Sequence, residues 1–206
     1  MTDSDLSLEL EAVALTRGER RLVSNLSFSL NPGQLALVTG PNGTGKTTLL
    51  RSVAGLAPPS DGEIRIGGRS IARLEPEERG LIVYQAHLDG LKKDLTVTEN
   101  IQFNNQLRGN TESFSSTLTE LGLNGYEKRV VRQLSAGQKR RVALATLKHA
   151  GARLWLLDEP LTNLDTDGRK LVSGWLDRHL AAGGMAMVAT HLADELKRPG
   201  CVLVEL

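Results

Sequence analysis

The glycine-rich stretch at residues 40–47 has the residue types and the spacing needed to bind phosphate. Its pattern, Gly-x-x-x-x-Gly-Lys-Thr between an apolar run and a helix-like segment, directs successive backbone N–H groups into one concavity at a helix N-terminus. Lys46 would reach the β- and γ-phosphates, and the Thr47 hydroxyl would ligate Mg²⁺. Gly43 and Gly45 allow positive φ and close approach to a ligand. The alternative is an ordinary glycine-rich turn, and the full match in a strand–loop–helix setting counts against it.

Two adjacent carboxylates give the second chemical signal. Asp158 ends the apolar run 154–157, as expected of a buried strand that carries a Mg²⁺ ligand at its carboxyl end. Glu159 follows directly and is placed to orient and polarise an attacking water while Asp158 stays with the metal. A strand that ends in an acidic turn is common by itself. Joined to a phosphate loop, the pair favours hydrolysis over phosphoryl transfer to a substrate.

A helix start and four histidines each permit two interpretations. Ser135 and Gln138 have the spacing of a helix capping box, and the same helix start presents free N–H groups that could face a phosphate. These two interpretations are compatible. His191 follows an apolar strand, where an isolated histidine is more often structural than catalytic. The remaining histidines keep the structural interpretation: His87, His149 and His179.

Apolar runs that alternate with helical segments predict the scaffold for these residues. Four short runs are typical of parallel strands buried on both faces, and they lie at 35–38, 81–84, 154–157 and 185–190. Further strands are predicted at 6–15, 21–30, 64–66 and 201–204, and helices at 45–55, 135–149 and 166–180. A candidate site residue follows each buried run, at the edge where open α/β sheets bind ligands: Gly40, Gln85, Asp158 and His191. We therefore predict an α/β fold.

Residues 86–134 differ from the rest, because no comparable buried-strand run occurs there. Apolar residues recur with helical spacing in 96–107 and 111–123. We expect a single domain over 1–206, in which the flanking parts 1–85 and 135–206 form the core and 86–134 is a mostly helical insert.

The composition argues against several function classes. The 206 residues carry 25 Lys and Arg against 24 Asp and Glu, and only 3% are aromatic, so nucleic acid is not expected as a direct partner. The single cysteine, Cys201, leaves no partner for an intrachain disulfide. The acidic start at 1–5 and the lack of an apolar run of about 20 residues indicate neither a signal peptide nor a transmembrane helix. We expect a cytosolic chain that serves any membrane process as a peripheral subunit.

In order and separation, these elements resemble the motifs of the nucleotide-binding domain of ATP-binding cassette (ABC) transporters. The Walker A loop, Q-loop, signature, Walker B pair, D-loop and H-loop would be 40–47, Gln85, 134–138, Asp158-Glu159, Leu164-Asp165 and His191. The resemblance spans essentially the whole chain, and no Asn-Lys-x-Asp guanine-reading motif is present. It implies a P-loop NTPase (RecA-like) core with a parallel sheet, an N-terminal antiparallel β subdomain and an inserted α-helical subdomain.

The resemblance also implies a Mg²⁺-dependent ATPase. ATP would be held by Gly40, Pro41, Asn42, Gly43, Thr44, Gly45, Lys46, Thr47 and Thr48. Mg²⁺ would be held by Thr47, Gln85 and Asp158. Glu159 would be the general base and His191 would contact the γ-phosphate, with Lys46 and Gln85 also acting in catalysis.

A second copy of the chain would complete the site. In the family, the signature of one protomer covers the nucleotide of the other, which here implies Ser135, Gly137 and Gln138. Asp165 would connect the two sites. A monomer should therefore bind ATP but hydrolyse it poorly.

Within the family, the chain looks most like the ATP-binding subunits of the haem exporter of cytochrome c maturation. The likeness rests on the small size, Ala136 in the signature, the run 138–145 and the two runs 87–92 and 95–100. It implies a peripheral subunit at the cytoplasmic face of the inner membrane, which docks an integral membrane subunit near 86–100 and drives release of a haem-loaded chaperone. The alternatives are an ATPase of another small-substrate ABC transporter and a soluble ABC ATPase that acts on nucleic acid.

Two positions depart from the usual ABC pattern. The aromatic residue that normally stacks on adenine is missing, because no aromatic residue precedes Phe28, which we expect to face the core. Arg17 or Arg20 could offer a planar guanidinium instead, so we predict a weak preference for ATP over GTP. The D-loop reads Thr-Asn-Leu-Asp at 162–165 instead of the commoner Ser-Ala-Leu-Asp.

Overall fold

The computed structural model describes residues 6–86, 90–107, 109 and 113–206. Numbered along the chain, the strands are β1 (Leu8–Arg17), β2 (Arg20–Leu30), β3 (Leu35–Thr39), β4 (Asp61–Ile66), β5 (Arg69–Ser70), β6 (Ile82–Gln85), β7 (Leu154–Asp158), β8 (Met185–Ala189) and β9 (Val202–Glu205). The α-helices are α1 (Lys46–Val53), α2 (Pro76–Arg79), α3 (Val97–Leu107), α4 (Ser115–Glu120), α5 (Ala136–Lys148), α6 (Thr166–Ala181) and α7 (Ala193–Leu196). Single 3₁₀ turns occur at Ile71–Arg73 and Val131–Gln133.

The parallel sheet has the strand order β6-β7-β8-β3-β9, and all neighbouring strands run in the same direction. In register, Leu156 of β7 lies between Tyr84 of β6 and Met187 of β8. Because the strands are parallel, their carboxyl ends meet at one edge of the sheet. The predicted α/β fold is confirmed, and this edge is where the predicted site residues follow their strands.

Both faces of the parallel sheet are covered, which explains why its strands are apolar throughout. On β3, Leu35 and Leu37 face a core shared with α5 and α6. Ala36 and Val38 face the opposite core, which is shared with α1 and the antiparallel sheet. All four side chains are at most 2% exposed. The strand ends that carry the site are therefore fixed from both sides.

The antiparallel sheet, with the order β2-β1-β4-β5, forms the predicted N-terminal β subdomain. Its long strands are irregular, since β1 pairs with β2 through several register shifts, and Ala12 and Asn25 adopt positive φ values of 49° and 52°. Gly62 of β4 lies against this bulge, where a Cβ would be 2.4 Å from the Ala12 carbonyl oxygen. Phe28 is half-buried and packs against the core of this subdomain, as predicted.

The insert between β6 and α5 packs into the main core. Helix α3 contributes Val97 and Ile101, and α4 contributes Leu118, to the cluster that also holds residues of α5 and α6. The buried amide of Asn100 fixes the chain before α3 by donating to the carbonyls of Lys92, Leu95 and Thr96. Helix α4 is shorter than the predicted segment 111–123, whose first two residues lie outside the described part. The insert boundaries at 86 and 134 stay a prediction.

Two short helices, α2 and α7, escape sequence-based prediction, because four residues are too few to show helical periodicity. A capping box explains α2, in which Glu75 and Glu78 cap each other's backbone and Pro76 occupies the first turn. Each helix in the described ranges is too short or too polar to span a lipid bilayer.

Candidate functional site

The phosphate loop follows β3 and leads into α1, as its pattern predicts. Gly45 is the N-cap of α1 with a φ of 118°, so the helix begins with backbone N–H groups that no side chain caps. Gly40 has a φ of 133°, and a Cβ there would lie 2.3 Å from the carbonyl oxygen of Leu206. Both positions require glycine, because the backbone is left-handed or tightly packed there.

The ammonium group of Lys46 is held inside the loop. Its Nζ donates to the carbonyl oxygens of Gly40 at 2.7 Å and Pro41 at 2.9 Å, and the residue is only 8% exposed. The Thr44 hydroxyl donates to the same Pro41 carbonyl at 3.0 Å. A buried cation at a helix N-terminus can serve a polyphosphate, which would accept hydrogen bonds in place of the two carbonyls.

A second contact joins the loop to β7. The Thr47 hydroxyl donates to Oδ2 of Asp158 at 2.7 Å, and Asp158 is 2% exposed. Hydroxyl and carboxylate oxygens are ligands that suit Mg²⁺, which takes few protein ligands and completes its shell with water and phosphate oxygens. No cluster of three or more His, Cys, Asp or Glu that could hold a metal occurs in the described part of the chain. The oxygen donors of Thr47 and Asp158 fit a Mg²⁺ ion.

Glu159 and His191 form the third contact of the site. Nδ1 of His191 lies 2.8 Å from Oε2 of Glu159, although the two residues follow different strands. Glu159 has a φ of 51°, and its backbone N–H donates to the Ala189 carbonyl at 2.9 Å. The Glu159 side chain is 16% exposed and that of His191 is 63% exposed. The carboxylate is thus shielded, while the imidazole stands open to a ligand or partner.

These three contacts surround one cleft of about 840 Å³. It is lined by Arg17, Leu22, Asn42, Gly43, Gly45, Lys46, Thr47, Thr48, Arg51, Leu56, Tyr84, Ala86, Asp158, Glu159, Thr162 and His191. Predicted site residues outside this lining are Gly40, Pro41, Thr44, Gln85, Ser135, Gly137, Gln138 and Asp165. Gly40, Pro41 and Thr44 instead hold the loop and its lysine, as described above.

Gln85 does not line the cleft in this structure. It is 6% exposed, and its Nε2 approaches the carbonyl oxygen of Ala86 at 3.5 Å. Its role at Mg²⁺ and water stays a prediction.

Several cleft residues carry no motif and were not predicted. Leu22 is an example, because it is distant in sequence from the phosphate loop and reaches it only when β2 packs there. A Cβ on Gly45 would lie 3.1 Å from the Cβ of Leu22. Tyr84 directly precedes Gln85, and this position in the sequence was the only indication that Tyr84 could lie near the site. Burial raises the pKa of Tyr84, the Asp158 carboxylate adds to the increase and Arg51 opposes it. The Tyr84 hydroxyl therefore stays protonated in the cleft.

Arg17, rather than Arg20, lines the cleft among the two arginines proposed to replace the missing aromatic residue. Arg17 ends β1 and lines the same cleft as Leu22. The stacking role itself stays a prediction.

The signature residues are organised apart from their own cleft. Ser135 and Gln138 form the predicted capping box of α5, with Ser135 Oγ accepting from the Gln138 N–H at 3.2 Å and Gln138 Oε1 accepting from the Ser135 N–H at 2.9 Å. Gly137 packs tightly on the D-loop, because a Cβ there would lie 2.9 Å from the Asn163 carbonyl oxygen. Asn163 has a φ of 62°, which asparagine tolerates better than most residues.

Asp165 caps α6 and pairs with α5. Its Oδ1 accepts from the Gly168 N–H at 3.0 Å, and Arg141 donates to its two oxygens at 2.8 and 2.7 Å. The Gly168 hydrogen bond, followed by Arg141, lowers the pKa of Asp165. Asp165 thus links the D-loop to the signature helix within one chain.

The sequence profile of the family described as ABC transporter matches residues 23–162. The chain belongs to the ABC transporter family. This ABC transporter match contains the phosphate loop and the Asp158-Glu159 pair, whereas Asp165 and His191 lie beyond its end.

Curated relatives within the ABC transporter family carry a more specific name. The cytochrome c biogenesis ATP-binding export protein CcmA of Nitrosomonas europaea is 48% identical over 178 residues, covering 85% of this chain and 84% of the relative. The CcmA protein of Nitrosospira multiformis is 46% identical over 192 residues, covering 91% and 93%. Among solved structures, an ABC transporter ATP-binding protein from Pyrococcus furiosus has a TM-score of 0.83 at 22% identity and covers 97% of each chain, which confirms the ABC fold.

Proposed function

We propose that the chain is the ATP-hydrolysing subunit of an ABC exporter for cytochrome c biogenesis, where it drives haem export and the release of a haem-loaded chaperone. One observation carries the ATPase assignment: a single cleft joins Lys46, the Thr47–Asp158 contact and the Glu159–His191 contact. The identity to CcmA proteins over most of both chains supports the role in cytochrome c biogenesis.

Each of these residues has a task in hydrolysis. Lys46 and the free N–H groups at the start of α1 bind the phosphate oxygens. Mg²⁺, held by Thr47 and Asp158, would neutralise charge on the phosphates as it builds up. Glu159 orients a water molecule and accepts its proton during attack on the γ-phosphorus. With its proton on Nδ1, His191 donates to Glu159 and fixes the direction of that carboxylate.

A second copy of the chain would complete the site. Ser135, Gly137 and Gln138 do not line their own cleft, yet Ser135 is exposed before the start of α5, and Gly137 and Gln138 are half-exposed. An exposed helix start can contact the nucleotide of a neighbouring protomer. We infer that ATP joins two copies face to face, with Asp165 linking each signature to its own D-loop.

The membrane subunit would dock near residues 86–100 at the cytoplasmic face of the inner membrane. Residues 87–89 of this segment lie outside the described residues. Beyond them, Lys92 lies 4.5 Å above the ring of Phe103, which is 38% exposed, and Leu107 one turn further is 70% exposed. This apolar edge of α3 would extend the docking surface, and the chain would bind the membrane only through its partner.

The test of the ATPase assignment compares wild type with Glu159→Gln in a dimer that demonstrably binds ATP. We expect Glu159→Gln to keep ATP binding and to lose about 100-fold or more in turnover, the usual effect of removing a general base. Lys46→Ala is the matched binding-deficient control. Equal turnover of wild type and Glu159→Gln would refute the general-base role.

The cytochrome c role needs a test in cells. A strain that lacks the chain is complemented with wild type or with Leu91→Asp/Lys92→Glu, and mature c-type cytochrome is measured by haem staining. We expect the double variant to lose maturation while the purified chain still binds ATP. Normal maturation with the Leu91→Asp/Lys92→Glu variant would refute the proposed docking surface. Normal maturation in the strain that lacks the chain would refute the role in cytochrome c biogenesis.

A further inference from the structure

Arg140 connects the signature helix to the turn that carries the carboxylates. It lies in the first half of α5 and is 3% exposed. Its Nη2 donates to the carbonyl oxygens of Glu159 at 2.7 Å and Asp158 at 3.1 Å, and its Nε donates to that of Pro160 at 3.3 Å. One guanidinium therefore binds three successive carbonyls at the carboxyl end of β7.

The same guanidinium also reaches the end of β6. Its Nη1 donates to the Ala86 carbonyl oxygen at 3.2 Å, which is the oxygen that Gln85 approaches with its amide. Arg140 thus joins the strand ends that carry Glu159 and Gln85 to a single helix. The signature residues Ser135 and Gln138 lie on the start of that helix.

Glu159 depends on such support because its backbone is left-handed. A φ of 51° is uncommon for glutamate and persists only where the surroundings hold it. The N–H of Glu159 is held by Ala189 and its carbonyl by Arg140. These two hydrogen bonds fix the peptide planes on both sides of its Cα, and so they set the direction of its Cα–Cβ bond and place the carboxylate within reach of His191.

We propose that Arg140 is a positioning residue for ATP hydrolysis, which orients Glu159 and makes that orientation follow the position of α5. The inference rests on the proposed ATPase function. When the signature engages the nucleotide of the partner copy, a shift of α5 moves the carbonyls that Arg140 holds. Arginine suits this task, because a planar guanidinium presents five N–H groups in a fixed fork, whereas a lysine ammonium donates from one atom.

The first measurement separates turnover from binding. In the full-length dimer, Arg140→Gln should lower kcat by about 100-fold, the scale expected when a catalytic group is misplaced. The KM for ATP and the equilibrium affinity for a fluorescent ATP analogue should stay within about threefold of wild type, because the phosphate loop is unchanged. The matched control is Arg198→Gln, at a half-buried arginine that pairs with Asp177 at 2.7 Å and does not line the cleft, and it should leave both quantities unchanged.

The second measurement is a double-mutant cycle. If Arg140 acts through Glu159, adding Arg140→Gln to Glu159→Gln should change the residual turnover by less than about twofold. An equal loss in both backgrounds would overturn the inference, as would a parallel fall in ATP affinity and melting temperature in Arg140→Gln. If Arg140→Gln does not fold, Arg140→Lys, which keeps the charge and the stem, takes its place in the same cycle.

The two proposals fail in different ways. A wild-type dimer that binds ATP but does not hydrolyse it would overturn the proposed function and this inference together. Wild-type turnover with an unimpaired Arg140→Gln would overturn only the role of Arg140.

Discussion

Nδ1 of His191 lies 2.8 Å from the Glu159 carboxylate, across the gap between the ends of β8 and β7. This contact sets the direction of the carboxylate, so His191→Ala should lower ATP turnover by about 10- to 100-fold while leaving ATP affinity nearly unchanged. Steady-state turnover and equilibrium binding measure the two effects. In the Glu159→Gln background the same change should have little further effect, and independent, additive losses would contradict a role through Glu159.

A pair of glycine substitutions tests the packing of α6 and β8. Gly174 lies within α6 with open space around it, so Gly174→Ala should raise the free energy of unfolding by about 0.5–1 kcal/mol. Gly184 lies against the ring of His179, where a Cβ would be 2.3 Å from Cε1, so Gly184→Ala should lower it by about 1–3 kcal/mol. Urea unfolding of both variants provides the measurement. Equal effects of the same sign on the free energy of unfolding would contradict the described surroundings of Gly174 and Gly184.

Arg17 should determine how strongly the cleft binds the base of the nucleotide and how well it distinguishes ATP from GTP. A guanidinium stacks on any flat ring, so ATP and GTP affinities should differ by less than about 100-fold. Arg17→Ala should weaken the binding of both nucleotides, whereas Arg20→Ala should not, because only Arg17 of the two lines the cleft. Competition binding with a fluorescent nucleotide gives all four ratios. An ATP preference above this limit, or an effect of Arg20→Ala equal to that of Arg17→Ala, would refute the assignment.

The sequence predicted those parts of the molecule that local pattern determines. The phosphate loop, the buried strands and the Ser135–Gln138 capping box were all predictable, because each depends on residues close together in the chain. The contacts of Arg140 and Leu22 were not, because they depend on how distant elements pack. Gln85 shows the converse: its motif position was clear from the sequence, but the contact of its amide with the Ala86 carbonyl oxygen was not.

His179 should make stability depend on pH. Its ring stacks on Trp155 at a centroid distance of 4.0 Å, and its Nε2 lies 3.0 Å from the Met185 carbonyl oxygen. Burial lowers the pKa of His179 below its ordinary value of 6.5, although hydrogen bonds to backbone carbonyls oppose this. As the pH falls below 6.5, His179 therefore takes up a proton more readily in the unfolded chain than in the folded chain. The free energy of unfolding decreases as a result.

The measurement is the free energy of unfolding at pH 7.5, 6.5 and 5.5 for wild type and His179→Gln. The difference between the two proteins should shrink as the pH falls from about 6.5, because only the wild type carries this group. Glu120 and Asp165, whose pKa values are lowered, cancel in that difference because both proteins contain them. A difference that does not change with pH would contradict the assignment.

The hydrogen bonds of Lys46 to the Gly40 and Pro41 carbonyls have a consequence for how a nucleotide is admitted. The loop already surrounds a cation, so an arriving phosphate competes with the protein's own oxygens for that charge. When a phosphate binds, its oxygens replace the two carbonyl oxygens as hydrogen-bond acceptors of Lys46 Nζ. Because the loop is already formed around the lysine, little backbone entropy is lost on binding. Anions of low charge density should not displace the two carbonyl oxygens from Lys46. The loop therefore prefers anions of high charge density, whatever base they carry.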